Sequence, residues 1–151
     1  MFKKILLATD GSPASANAAR LAIDLARTHG ARLTALYVVD PYPYLGVGEA
    51  NPLGFQAYMS AAHEHAAQAH ADISAMCRDG SAVDLHVRRV EDMRACEGIL
   101  QGAHEDGSDL IVVGSHGRAG ISRLMLGSIA AKVVAQSLVP VLVARADAAH
   151  R

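Results

Sequence analysis

Apolar and polar positions alternate between two regimes along the chain. Phe2–Thr9, Leu33–Val39 and Asp109–Val113 carry short runs of Ile, Leu and Val, compact enough to be strands buried on both faces. Val83–Val90 instead reads Val-Asp-Leu-His-Val-Arg-Arg-Val, a period of two that predicts a half-exposed strand at a sheet edge. A fifth apolar run, Val139-Pro-Val-Leu-Val143, closes the pattern. Helical spacing fills the gaps. Ala14–His29 puts Ala18, Leu21, Ala22, Leu25 and Ala26 on one face, with Ser12 as N-cap, Pro13 at the first helical position and Gly30 as stop. Phe55–Arg78 is alanine-rich, Met93–Glu105 ends before Gly107, and Ile129–Ser137 reads as a short last helix. Five strands alternating with four helices predict a doubly wound α/β domain with a parallel sheet, spanning residues 1–151 as one unit.

Two connections break this rhythm. Asp40–Gly54 holds three prolines, three glycines and two tyrosines, and follows the second strand at the edge where open α/β sheets bind ligands. It reads either as a plain surface excursion or as a flap whose tyrosines and Leu45 cover a bound base. The other connection runs Gly114-Ser-His-Gly117-Arg-Ala-Gly-Ile-Ser-Arg-Leu-Met-Leu-Gly127-Ser128, between a buried strand and a helix. Glycines allow close backbone approach with N–H groups turned inward, and a helix N-terminus favours an anion. The segment therefore predicts a phosphate site. Its spacing is neither that of the dinucleotide fingerprint nor that of the P-loop.

The spacing Gly114-x2-Gly117-x9-Gly127-Ser128 resembles the ATP-binding loop of the universal stress protein family. Lys3-Lys-Ile-Leu-Leu-Ala-Thr-Asp10-Gly-Ser12 is similar to that family's first strand and its acidic end, and the resemblance extends over nearly the whole chain. It implies a Rossmann-like, adenine nucleotide alpha-hydrolase-like fold with strand order 3-2-1-4-5, which brings Asp10 beside Gly114 at the topological switch point. It also implies ATP as ligand, with or without Mg²⁺. By the same resemblance Asp10 contacts the nucleotide, Ala8 leaves room for the nucleoside, and the backbone of Val38 (or of Val39, one residue on) reads the adenine edge. Gly114, Ser115, His116, Gly117, Arg118, Ala119 and Gly120 would wrap ribose and phosphates, with Arg118 as the matching cation. Gly127 and Ser128 would grip an anion, and Ile129 and Ala130 would add backbone contacts. Asp10 has a second reading, as a cap for the first helix. After the third strand, Val90-Glu-Asp-Met-Arg-Ala stands where members of the family it resembles usually carry a Gly-x-Pro or Gly-x-Ala turn.

Chemistry is sparse by comparison. No Walker-type lysine, no Ser-His-Asp order and no motif-placed carboxylate pair is present, so the expected function is a stress-response binding or signalling module, with no catalytic residue assigned. The alternative is a slow ATPase or nucleotidyl-transfer enzyme, in which His116 or Asp10 orients water and Arg118 steadies charge. His63, His65 and His70 stand two and five residues apart, a poor match to the i, i+3 or i+4 spacing of a helical metal site.

Composition narrows the partners. The formal net charge of −1 leaves no basic footprint for nucleic acid or an anionic membrane. The apolar run Ile5–Ala8 behind Lys3 and Lys4 is too short for a signal peptide, and no window predicts a membrane span, so a cytoplasmic protein is expected. Cys77 and Cys96, far apart in predicted helices, read as idle thiols rather than a disulfide. Strand five offers an apolar edge at Val139, Val141, Leu142 and Val143, blunted only by Pro140. The family resemblance implies that it pairs with a two-fold copy, making a homodimer whose nucleotide sites lie outside the interface.

Overall fold

The computed structural model describes residues 1–42, 52–116 and 125–145. Nine elements alternate: β1 (Lys4–Thr9), α1 (Pro13–His29), β2 (Arg32–Val39), α2 (Pro52–Arg78), β3 (Leu85–Glu91), α3 (Ala95–Asp106), β4 (Leu110–Gly114), α4 (Ser128–Gln136) and β5 (Val141–Ala144). The strands form one sheet in the order β3-β2-β1-β4-β5, and every neighbouring pair is parallel. The expected doubly wound architecture is therefore present, and β1 and β4 lie side by side with Leu7 opposite Val112.

Alternation along each strand sends neighbouring side chains to opposite faces. Ile5, Leu7, Leu33, Ala35, Leu110 and Val112 pack under α1 and the second half of α2. Leu6, Leu36, Ile111 and Val113 pack under α3 and α4. On α1 the buried stripe is Ala18, Ala19, Ala22, Ile23 and Ala26, while Leu21 and Leu25 flank it half-buried. The small residues take the centre because methyl side chains let the helix approach the sheet closely. α3 comes closer still. A Cβ at Gly98 would stand 2.8 Å from Val38 Cγ2, and one at Gly102 would stand 2.8 Å from Leu36 Cδ2. Cys77 and Cys96 are free thiols buried on opposite faces of the sheet, and burial raises the pKa of each.

Several boundaries differ from the sequence expectation, for local reasons. α1 is capped as expected, with Ser12 Oγ accepting from the Ser15 N–H at 3.3 Å and Gly30 left-handed at φ 61°. β1 starts at Lys4 rather than Phe2, and α2 starts at Pro52 rather than Phe55. β3 pairs only from Leu85, not from Val83, opposite Leu33. α3 begins at Ala95 rather than Met93, with Arg94 at the cap position and no side-chain hydrogen bond to cap it. β5 runs Val141–Ala144 instead of Val139–Val143. The cause lies at Ser137: its Oγ accepts from the Val139 N–H at 3.1 Å and donates to the Val139 carbonyl at 2.7 Å. Both backbone groups of Val139 are thus engaged locally, and Pro140 has no N–H to offer a ladder. β3 and β5 are the sheet edges, as the alternation at β3 predicted. Among the described residues no helix is long and apolar enough to cross a membrane.

Candidate functional site

The carboxyl ends of β1, β2 and β4 open into a cavity of about 560 Å³. Its floor is built first by the β1–α1 turn. Gly11 is left-handed at φ 74°, which bends the chain back so that Asp10 Oδ1 accepts from the Ser12 N–H at 2.9 Å. The cap of α1 is Ser12, so Asp10 shapes the turn ahead of the helix rather than capping it. Thr9 Oγ1 accepts from the Gly11 N–H at 3.2 Å and lies 3.4 Å from Ser15 Oγ, which donates to the Ser12 carbonyl at 2.8 Å. Thr9 and Ser15 are both buried and both line the cavity.

The β4 side is built by a second turn. Ser115 continues the sheet by donating its N–H to the Ala144 carbonyl at 2.8 Å, and its own carbonyl accepts from the Gly127 N–H at 2.7 Å. That bond pins the start of α4 against the end of β4. Gly127 occupies the N-cap of α4 in extended conformation, without a side-chain cap. Among the described residues no side chain meets the first-turn N–H groups of α4, which suits them to solvent or an anion. Ser115 Oγ lies 3.1 Å from His116 Nδ1, and His116 Nε2 is buried without a hydrogen-bond partner among the described residues.

Ten of the sequence-predicted site residues line this one cavity: Ala8, Asp10 and Val38 from β1 and β2, Gly114, Ser115 and His116 from β4 and its turn, and Gly127–Ala130 from α4. Gly117, Arg118, Ala119 and Gly120 lie outside the described residues, as do Tyr44 and Leu45 of the expected flap. Val38 and Val39 both border the cavity, from opposite faces: Val38 packs toward α3, Val39 toward α2. Ala130 is buried in the core, whereas Ile129 is 44% exposed.

Sequence reasoning missed an entire wall. Tyr58, Ala61, Ala62 and His65 of α2 line the cavity, as do Ala95 and Ile99 of α3. The signal was available in the spacing 58, 61, 62, 65, which puts four side chains on one helical face. The three α2 histidines part company accordingly. His63 Nε2 pairs with Glu91 Oε1 at 2.8 Å on the surface, His65 faces the cavity, and burial lowers the pKa of His70. Among the described lining residues the carboxylates are Asp10 and Asp40, and neither lysine nor arginine is present.

The sequence profile of the universal stress protein family matches residues 1–145. A universal stress protein of Thermus aquaticus is 38% identical over 96% of this chain and 100% of its own length. Among solved structures, universal stress protein UspA from Lactobacillus plantarum covers 95% of this chain and 97% of its own, at 28% identity and a TM-score of 0.77. A universal stress protein crystallised in complex with cAMP covers 95% of this chain and 96% of its own, at 26% identity and a TM-score of 0.60. Fold, loop spacing and these matches agree: the chain belongs to the universal stress protein family.

Proposed function

We propose that the cavity at the carboxyl edge of the sheet binds an adenine nucleotide and that the protein acts as a stress-response binding or signalling module. The observation that carries this reading is convergence: ten residues implied by the family resemblance line one cavity, at a helix N-terminus that no side chain caps among the described residues. The cAMP complex of a related structure supports the ligand class. ATP is the ligand the loop resemblance points to, with Mg²⁺ as a counter-ion to its phosphates and Arg118 as the cation supplied by the loop. Homodimerisation through β5 and a cytoplasmic setting complete the proposal.

Calorimetric titration of purified protein with ATP, AMP and cAMP tests it. Saturable binding of at least one, lost or weakened at least tenfold in Arg118→Ala for the phosphorylated ligand that binds, is the expected result. Absence of saturable binding by all three overturns the reading.

A further inference from the structure

The cavity has two unlike ends. At α4, the Gly127–Ser128 turn offers uncapped N–H groups and a hydroxyl, the chemistry of a phosphate seat. From β4 across β1 to β2 is two strand spacings, about 10 Å. At that far end the Asp40 carboxylate has the wrong sign for phosphate, and the wall is the α2 ridge. Ala61 and Ala62 leave a shallow floor there, with Tyr58 standing beside it.

Tyr58 is held in place from two sides. Its hydroxyl donates to the Asp40 carbonyl at 2.8 Å. Its ring meets Tyr42 edge-on, with centroids 5.3 Å apart and planes at 63°, and Tyr42 in turn meets Phe55 at 5.7 Å. Tyr58 and Ala62 also pack onto Tyr37, Val39, Ala66 and Ala69 of the sheet–helix core. The ring is therefore ordered before a ligand arrives, and contact with it costs little conformational entropy. An aromatic ring beside a methyl-lined floor suits a planar, apolar-faced group, and a nucleobase is such a group.

We propose that Tyr58, with Ala61 and Ala62, forms the base-recognising wall of the cavity, opposite the phosphate seat at α4. The inference rests on the nucleotide reading above and adds the residues that would read the base. It places base contact on α2, a helix outside the glycine-loop pattern.

The test compares AMP with ribose 5-phosphate, which lacks the base, on wild type and variants by calorimetry. Tyr58→Ala is expected to weaken AMP about tenfold while leaving ribose 5-phosphate within about twofold. Tyr58→Phe, which keeps the ring, is expected to stay within about threefold of wild type for AMP. Ala61→Leu tests the floor without touching the core, because Ala61 is exposed, and should weaken AMP selectively as well. Equal weakening of both ligands by Tyr58→Ala, or unchanged AMP affinity in both Tyr58→Ala and Ala61→Leu, overturns the assignment. Wild type that binds ribose 5-phosphate and AMP equally also overturns it, while leaving the phosphate seat standing. Wild type that binds no nucleotide overturns the site itself.

Discussion

The Gly127 amide donates to the Ser115 carbonyl at 2.7 Å, and a Cβ built on Gly127 would stand 2.8 Å from that same oxygen. Gly127 has φ −60°, so any residue could adopt its backbone conformation. Space, not conformational freedom, demands glycine here. The pattern glycine that sequence reading assigns to phosphate approach is needed first for the protein's own approach of β4 to α4.

Gly127→Ala is accordingly expected to destabilise the ligand-free protein by about 1–2 kcal/mol, through overpacking against backbone that cannot swing away. Thermal unfolding should show a midpoint lower by roughly 3–6 °C. Ser128→Ala is the matched control: Ser128 is exposed, and losing its hydroxyl should leave the midpoint unchanged while weakening nucleotide by about 1 kcal/mol. A Gly127→Ala protein with a wild-type midpoint and weakened binding would place the whole role of this glycine at the ligand.

Asp92 is the only non-glycine at positive φ among the described residues, at 57°. It sits in the Glu91–Arg94 turn between β3 and α3. Left-handed backbone costs an L-residue about 1–2 kcal/mol, less for Asp because its side chain bonds locally. Asp92→Gly gives part of that back to the more flexible unfolded chain. The net expectation is about 0.5 kcal/mol of added stability, read as a higher urea midpoint at unchanged slope. A lower midpoint would show that the Asp92 side chain holds the turn.

His70 is expected to make the stability depend on pH near neutrality. Its pKa is lowered, chiefly by burial between α2 and the sheet, with the Arg89 charge acting in the same direction; the backbone carbonyls of Ala35 and Arg88 oppose the shift. Its Nε2 is buried without a hydrogen-bond partner among the described residues. A folded-state pKa below the unfolded one means that the unfolded chain takes the proton first as pH falls. The contribution of His70 is thus fully present above about pH 6.5 and is lost as pH drops below it. Asp84, Glu91 and Glu105, whose pKa values are lowered by their hydrogen-bonded partners, act in the same sense but in a lower window, below the usual carboxylate range. Urea midpoints should fall between pH 8 and 5.5 in wild type and change markedly less in His70→Gln.

Strand burial was legible because β1, β2 and β4 are enclosed by helices on both faces, and enclosure demands unbroken apolar runs such as Ile5–Leu7 and Leu110–Val113. The α4 side of the cavity was legible because glycines and a helix start leave marks at fixed spacing. The α2 wall was harder to read: the spacing 58, 61, 62, 65 marks one helical face, but in a helix that is alanine-rich throughout nothing local says whether that face meets a cavity or water. Which of Val38 and Val39 meets the site depended on strand phase. The sheet answers by using both, one on each face.

Homodimerisation through β5 stays a proposal, and the packing of β5 changes how it should be tested. β5 is an edge strand, paired with β4 on one side only among the described residues. Leu142, however, packs against the α1-side core, and Val139, Val141 and Val143 pack against the α3–α4 side. A charge at Leu142 would therefore damage the monomer instead of reporting on a seam. The apolar side chains left outside lie on the neighbouring helix end: Val134 is 47% exposed and Leu138 is 100% exposed. A two-fold copy docked along β5 would satisfy its free N–H and C=O groups and cover both side chains. Light scattering at tens of micromolar, the scale of roughly −6 to −7 kcal/mol, should give about twice the 15.8 kDa of one chain. The double variant Val134→Glu with Leu138→Glu should give the monomer mass and keep a cooperative unfolding transition. A wild-type monomer at that concentration, or a double variant that stays dimeric, would remove β5 and its flanking helix end as the interface.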